Sequence, residues 1–302
     1  MSKVRTAFVP GAGLGKRLRP LTEFRPKPLV PVRNRPLITY VLDALIDAGI
    51  ERFVVNTHHC AEAYDTLLGA EYRGREIRYI HEPVLLETGG GLWNARELFD
   101  REPVLVHNGD VLASLNLAGL LETHAAEGKE VTALLRSSGG PLHVLFDRRT
   151  KRMRDIRNAL GAAGGIDTLF AGAYVVEPEF IDRIPPGEII SVVPVFLDML
   201  KNGVPIAGFL DDSGMWADLG DRASYLEAHR GATLVDPTAR LGADVELRGF
   251  AAIGAGAEIG DDAVLEDCVI WEGAKIASGS RLRGCIVRDH REASGTHADT
   301  DF

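Results

Sequence analysis

The chain has 302 residues, 45% of them hydrophobic and 25% charged, which is ordinary for a globular protein and long enough for one large and one small domain. A formal net charge of −9 excludes a broad basic surface for nucleic acid or anionic membrane, and no apolar run reaches membrane-spanning length. Cys60, Cys268 and Cys285 form no disulfide or metal framework, and the opening MSKVRTAFVPGAG has no apolar run suited to a signal peptide, so the expected compartment is the cytoplasm.

In chain order, Val4 to Val9 reads as a short buried strand, followed by VPGAGLGKRLRPLTEFRPKPLVPV from Val9 to Val32. Glycine or alanine at Gly11, Ala12, Gly13 and Gly15 lets backbone N–H groups approach an anion, and Lys16, Arg17, Arg19, Arg25 and Lys27 supply cations. A basic loop in an acidic protein points to a small phosphorylated ligand. Residues 37–48 have the apolar spacing of a helix, with Pro36 at its start and Gly49 at its end. Strands are expected at 52–56, 76–80, 104–107 and 132–135, with helices at 60–69, 89–99 and 116–127 between them. This alternation predicts an α/β domain with a mixed, mostly parallel sheet and its ligand beyond the carboxyl ends of the strands. Residues 141–147 and 152–156 fit a strand pair; then come a strand at 169–177, a helix at 189–202, a strand at 205–210 and a helix at 221–230.

After Gly231 the texture changes. Val235, Leu241, Leu247, Ile253, Ile259 and Leu265 recur every six positions; the phase slips once, between Leu265 and Ile276, and resumes at Leu282. That period fits neither an amphipathic helix nor a meander and predicts a β-helix of hexapeptide turns. Cys268 and Cys285 each follow a repeat leucine by three residues, which places them on neighbouring coils as small buried hydrophobes. The tail from Arg291 to Phe302 has little to pack and is expected to be disordered.

Two common phosphate motifs fail. GxGxxG needs glycine where Lys16 stands, and a P-loop needs glycine at Pro10 and Ser or Thr at Arg17. The stretch instead resembles the GxGxRLxPLTxxxPKPLxP signature of sugar-1-phosphate nucleotidyltransferases, carried by Gly13, Gly15, Arg17, Leu18, Pro20, Leu21, Thr22, Pro26, Lys27, Pro28, Leu29 and Pro31. Further pieces follow in the family's order: Glu87-Thr88-Gly89-Gly90-Gly91, Asn108-Gly109-Asp110, Phe170-Ala171-Gly172 and Trp216-Ala217-Asp218-Leu219-Gly220. The resemblance covers residues 4 to about 289. It implies a Rossmann-like catalytic domain at 1–232 and a short left-handed β-helix of hexapeptide repeats at 233–289, with the tail from 290 to 302 outside both.

The implied reaction joins a sugar 1-phosphate to the α-phosphorus of a nucleoside triphosphate and releases pyrophosphate, a transfer dominated by positioning and charge neutralisation. By resemblance, Arg17 holds the departing phosphates and Lys27, between two prolines, sits at the reacting phosphates. The nucleotide is assigned to Gly11, Ala12, Gly13, Gly15, Lys16, Glu82, Thr88 and Gly89, with the Glu82 carboxylate accepting from the base. The sugar phosphate is assigned to Glu87, Asn108 and Gly172, and Mg²⁺ to Asp110 and Asp218. The repeats resemble those of mannose-1-phosphate guanylyltransferases, whereas ETGGG resembles N-acetylmuramate-1-phosphate uridylyltransferases. The family's Glu-Lys-Pro segment, whose lysine grips the sugar phosphate, has no counterpart between Arg136 and Phe170. Self-association through the β-helix is expected. A hexapeptide acyltransferase lacks support, since no histidine lies between Gly231 and Asp289. A non-catalytic assembly subunit is disfavoured because Arg17, Lys27, Asp110 and Asp218 are all present.

Overall fold

The computed structural model describes residues 3–302, so the first two residues of the expected catalytic domain lie outside the described residues. Packing divides the chain into two compact units, one built from the residues up to Leu14 with Ile38–Asp218, the other from Gly15–Leu37 with Leu219–Phe302. This division differs from a single boundary at 232: the basic half of the signature loop packs with the C-terminal repeats.

In the first unit, strand Thr6–Pro10 runs parallel to Val104–His107 on one side and to Arg52–Thr57 on the other, and Arg52–Thr57 is parallel to Arg75–His81. Ala7, Phe8 and Val9 are successive residues pointing to opposite faces, and all are fully buried, so both faces of this part of the sheet are covered. Strand Ile166–Val176 is antiparallel to both Val104–His107 and Val131–Arg136, so the sheet is mixed and its parallel part is smaller than expected. The reason is local: Ile166–Val176 follows the hairpin pair Val144–Asp147 and Arg152–Ile156 through a glycine-rich link too short for a crossover helix. Helices Glu87–Asn94, Pro178–Asp182 and Val192–Lys201 contribute Leu92, Phe180, Val192, Val195, Phe196 and Met199 to the same core as Phe8, Val54, Val104 and Tyr174. Among the described residues, no helix is long and apolar enough to cross a membrane.

The second unit contains a stack of short parallel strands. Thr233–Val235 pairs with Glu246–Ile253, Glu246–Ile253 with Val264–Ile270, and Val264–Ile270 with Arg281–Arg283. Partners such as Arg240↔Glu258 and Glu258↔Lys275 stand one coil apart in sequence, and Ile253, Ile259, Leu265, Ile276 and Leu282 fill the interior. Cys268 and Cys285 are buried free thiols on successive coils, with the Val269 N–H donating to the Cys285 carbonyl at 3.0 Å.

The expectation of a disordered tail fails. Glu292–Ala293 pairs with Lys275–Ile276, Thr296–Ala298 pairs with Arg281–Arg283, and the Phe302 N–H donates to the Ile286 carbonyl at 2.9 Å. A parallel ladder satisfies the backbone of this segment without the aliphatic period that marks earlier coils, and only Ala293 and Phe302 are needed inside.

Candidate active site

In the first unit, four parallel strands end together, and the residues just beyond them hold one another. The Gly11 N–H donates to Asn56 Oδ1 (2.8 Å), and the Gly11 carbonyl accepts from the Tyr64 hydroxyl (2.9 Å). A Cβ at Gly11 would lie 2.5 Å from the Tyr64 oxygen and 2.8 Å from the Asn56 carbonyl, so only glycine fits. Ala12 is buried beside it, whereas Gly13 is exposed with open space around it. Burial holds the Tyr64 hydroxyl well above the ordinary phenol range, and the nearby Asp110 carboxylate adds to that.

Asp110 and Asp218 come together through strand pairing. Val111–Ala113 is antiparallel to Trp216–Asp218, and Asp218 stands opposite Val111, next to Asp110. The Trp216 indole N–H donates to the Ala171 carbonyl (2.9 Å), and the Asn108 N–H donates to the Gly172 carbonyl (2.8 Å). Gly172 has φ +86°, and a Cβ there would sit 3.0 Å from the Asn108 amide nitrogen. NGD, FAG and the first half of WADLG, far apart in sequence, therefore form one cluster. Beneath it His107 is buried, its Nδ1–H donating to the Asn108 carbonyl (2.9 Å), and burial pushes its pKa down to about 4.

Two aspartates suit a cation that takes its remaining ligands from phosphate oxygens and water, as Mg²⁺ does, and among the described residues no group of three or more His, Cys, Asp or Glu offers an all-protein cage. The Asp110–Asp218 pair fits such an ion.

The ETGGG run is built differently from its expected role. Glu87 is exposed with φ +63° at the start of helix Glu87–Asn94, but the following N–H groups are already used: those of Gly89 and Gly90 both donate to the Ile190 carbonyl (2.8 and 2.9 Å). Thr88 Oγ1 accepts from the Val192 N–H (3.1 Å). Each glycine answers a separate close approach, since a Cβ would meet the Ile190 carbonyl oxygen at Gly89 (2.8 Å), the Glu188 carbonyl oxygen at Gly90 (2.4 Å), and Asn56 Nδ2 with Glu82 Oε1 at Gly91 (both 2.7 Å). Thr88 and Gly89 thus hold the 188–192 segment, and their bonding groups do not face a nucleotide.

Glu82 also departs from expectation. It is fully buried; Oε1 accepts from Asn56 Nδ2 (2.7 Å) and Oε2 from the Leu86 N–H (3.0 Å). A base cannot reach a carboxylate enclosed in this way. Asn56 and Tyr64 are not singled out by the sequence; the one signal is a polar residue ending the apolar run RFVVN.

In the second unit, the signature loop folds into two short 3₁₀ turns, Lys16–Leu18 and Lys27–Leu29, anchored by buried Leu18, Leu21 and Leu29. Gly15 (φ +57°) packs against Thr22, whose Oγ1 donates to the Gly15 carbonyl at 2.9 Å, and Lys27 is 5% exposed beside them. Lys16 and Arg17 are exposed. A Cβ on Gly220 would lie 2.7 Å from the Arg17 guanidinium, so the glycine of WADLG makes room for Arg17. Asp221 caps helix Arg222–Glu227; bonds from Ser224 hold its carboxyl below the usual range, with Arg17 assisting.

The loop is braced by the repeats. Arg25 pairs with Asp289 (2.7 Å) and lies over the Trp271 ring (5.3 Å), while Arg288 donates to the Pro20 carbonyl (3.0 Å) and reaches Glu23 (3.2 Å). Arg33 and Asn34, the left-handed turn between the short strands Pro31–Val32 and Arg35–Pro36, donate to the Ala228 (2.9 Å) and Ile253 (2.8 Å) carbonyls.

A family model described as "Nucleotidyl transferase" matches residues 7–139. A mannose-1-phosphate guanylyltransferase of Mycobacterium tuberculosis is 32% identical over 93% of this chain and 82% of its own length. The catalytic subunit beta of the Drosophila melanogaster mannose-1-phosphate guanylyltransferase is 30% identical over 93% and 83%. An N-acetylmuramate alpha-1-phosphate uridylyltransferase of Neisseria meningitidis is 31% identical over 74% of this chain and 96% of its own. In architecture, a UDP-glucose pyrophosphorylase from Acinetobacter baumanii matches with a TM-score of 0.64 at 19% identity, over 75% of this chain and 92% of that one. The glycine turn after the first strand, the joined NGD, FAG and WADLG motifs, and similarity along nearly the whole chain lead to one conclusion: the chain is an enzyme of the nucleotidyl transferase family.

Proposed function

We propose that the protein transfers a guanylyl group from GTP to a sugar 1-phosphate of the mannose type, giving a GDP-sugar and pyrophosphate. The observation that carries this reading is the 32% identity with the Mycobacterium tuberculosis guanylyltransferase across 93% of the chain, a span that includes the repeats. A sugar-phosphate oxygen attacks the α-phosphorus in line, a new P–O bond forms, and the bond to the β-phosphate breaks. Arg17 neutralises the departing pyrophosphate, Lys27 places a point charge at the reacting phosphates, and Gly11, Ala12, Gly13, Gly15 and Lys16 receive the triphosphate. Glu87, Asn108 and Gly172 are assigned to the sugar phosphate. Asp110 and Asp218 are assigned to Mg²⁺, which when bound supplies positive charge against the crowded phosphates.

Residues 1–232 are assigned the chemistry. Residues 233–289 are assigned to a left-handed β-helix that mediates self-association, and the cytoplasm is the assigned compartment. Parallel pairing one coil apart supports the helical reading, because the interior then repeats as the sequence does. A second reading, uridylyl transfer to an N-acetylated sugar 1-phosphate such as N-acetylmuramate 1-phosphate, is favoured by the ETGGG run and by 31% identity with the Neisseria meningitidis enzyme.

The test is pyrophosphate release across a panel of nucleoside triphosphates and sugar 1-phosphates with Mg²⁺. Release with GTP and mannose 1-phosphate is expected. Release only with UTP and an N-acetylated sugar selects the second reading, and silence across the panel rejects both.

A further inference from the structure

We infer that Glu82 is a positioning residue which sets the glycine turn through Asn56 and does not read the base. The inference rests on the nucleotidyl-transfer reading above. The hydrogen bonds form an unbroken chain: the Leu86 N–H donates to Glu82 Oε2 (3.0 Å), Asn56 Nδ2 donates to Glu82 Oε1 (2.7 Å), and the Gly11 N–H donates to Asn56 Oδ1 (2.8 Å). The Tyr64 hydroxyl fixes the other side of the same residue through the Gly11 carbonyl (2.9 Å). Both main-chain polar groups of Gly11 are therefore held by side chains, and the direction in which the turn leaves strand Thr6–Pro10 is set from outside the turn.

The chain has a sense. An asparagine amide can rotate to present oxygen or nitrogen to either neighbour, but here one neighbour is an N–H donor and the other must accept. A carboxylate, which only accepts, fixes the Asn56 oxygen toward Gly11. It also fills the space beside Gly91, where a Cβ would lie 2.7 Å from both Asn56 Nδ2 and Glu82 Oε1. The helix start at Glu87, the end of strand Arg52–Thr57 and the glycine turn are thus locked by a single acceptor, fully enclosed.

This polarity permits a swap. Glu82→Gln alone forces one donor against another: the amide nitrogen meets either the Leu86 N–H or Asn56 Nδ2, and an Asn56 that flips to avoid it meets the Gly11 N–H. Asn56→Asp alone sets two carboxylates against each other. In the double variant N56D/E82Q, the new amide nitrogen at position 82 donates to the new carboxylate at position 56. The amide oxygen at 82 accepts from the Leu86 N–H, and the carboxylate at 56 still accepts from Gly11. Every bond is then restored, with the direction of one reversed.

The experiment measures kcat/KM with GTP, UTP, ATP and dTTP for wild type, both single variants and the double, at a temperature below each unfolding midpoint. Each single variant should lose about 10²-fold with its preferred triphosphate, the cost of a misplaced loop. The double variant should recover at least about tenfold over either single. The ratio of rates among the four bases should stay constant throughout. A changed base ratio in Glu82→Gln, or a double variant no better than the worse single, overturns the inference. If Asn56→Asp does not fold, the comparison of Glu82→Gln with the double decides by the same criterion. Silence of the wild-type enzyme on the whole panel would reject the parent reading; the swap is then scored by whether the double variant regains the unfolding midpoint that each single loses.

Discussion

The two compact units solve the same problem, burial of a polar backbone, by opposite means. In the first, each contact occurs once: Gly89, Gly90 and Gly91 are adjacent, yet each makes room for a different neighbour. In the repeats, one contact recurs: Gly242, Gly254 and Gly260 all pass close to the backbone of the next coil. A ladder of equivalent contacts tolerates local loss, since stability is close to a sum over neighbouring coils, whereas a network of single contacts does not. The signature loop belongs to neither kind. It is a one-off structure fastened to a ladder, held by Arg25, Arg288, Arg33 and Asn34.

The comparison breaks first, and most severely, if the chain is cut. A protein ending at Arg230 loses Asp289, Trp271, Arg288 and Ile253, and with them most partners of the loop. Turnover should fall by more than about 10²-fold, with light scattering separating lost assembly from lost activity. Full turnover in a dissociated, truncated protein would reduce the repeats to an assembly device.

Next come the paired aspartates. Asp110→Asn and Asp218→Asn should each cost about 10²–10³-fold in turnover while circular dichroism stays unchanged, because the loss is of charge and not of shape. Retained activity in either would take that residue out of the proposed metal site.

Acid offers a measure common to both units. His107 in the first and His229 in the second are both buried, and burial lowers each pKa from its ordinary 6.5 to about 4. Between those values the unfolded chain takes up protons that the folded chain refuses, so stability is full above about pH 6.5 and falls as pH drops toward 4. Each histidine contributes up to roughly 3 kcal/mol to that fall. His229 Nε2 is buried without a partner among the described residues and the ring stacks on Phe250, so His229→Phe should flatten the acid limb of the unfolding curve. An unchanged slope would place the acid sensitivity elsewhere.

The smallest effect is expected on the open face of the repeats. Arg240 pairs with Glu258 and Lys275 lies near the same carboxylate, all exposed to solvent. Arg240→Ala should leave the unfolding midpoint unmoved within error, as exposed pairs add little to stability.

Periodic and contiguous signals are legible in the sequence. The six-residue period locates the stacked strands, and the run of twelve signature positions locates the loop, because both are properties of neighbouring residues. What escapes depends on direction. Glu82 and Asn56 sit at the ends of separate strands, and nothing in either neighbourhood reveals that one carboxylate faces inward onto the other amide. The tail escapes for a related reason: a last coil can borrow its ladder from the coil before it, so its own residues need not look like strand. Asp221 is legible as a helix cap because a cap is local.

The discontinuity of the second unit also sets an order of events during synthesis. Residues 15–37 leave the ribosome early, but the groups that fasten them, Ala228, Ile253, Arg288 and Asp289, come near the end of the chain. The basic loop must therefore wait, unbraced, while the intervening residues are made, and a chain released short of its last coils carries a well-formed α/β sheet with an unfastened loop. Such fragments are expected to fold in part without turning over substrate, which makes completion of the final coil the step at which the enzyme becomes active.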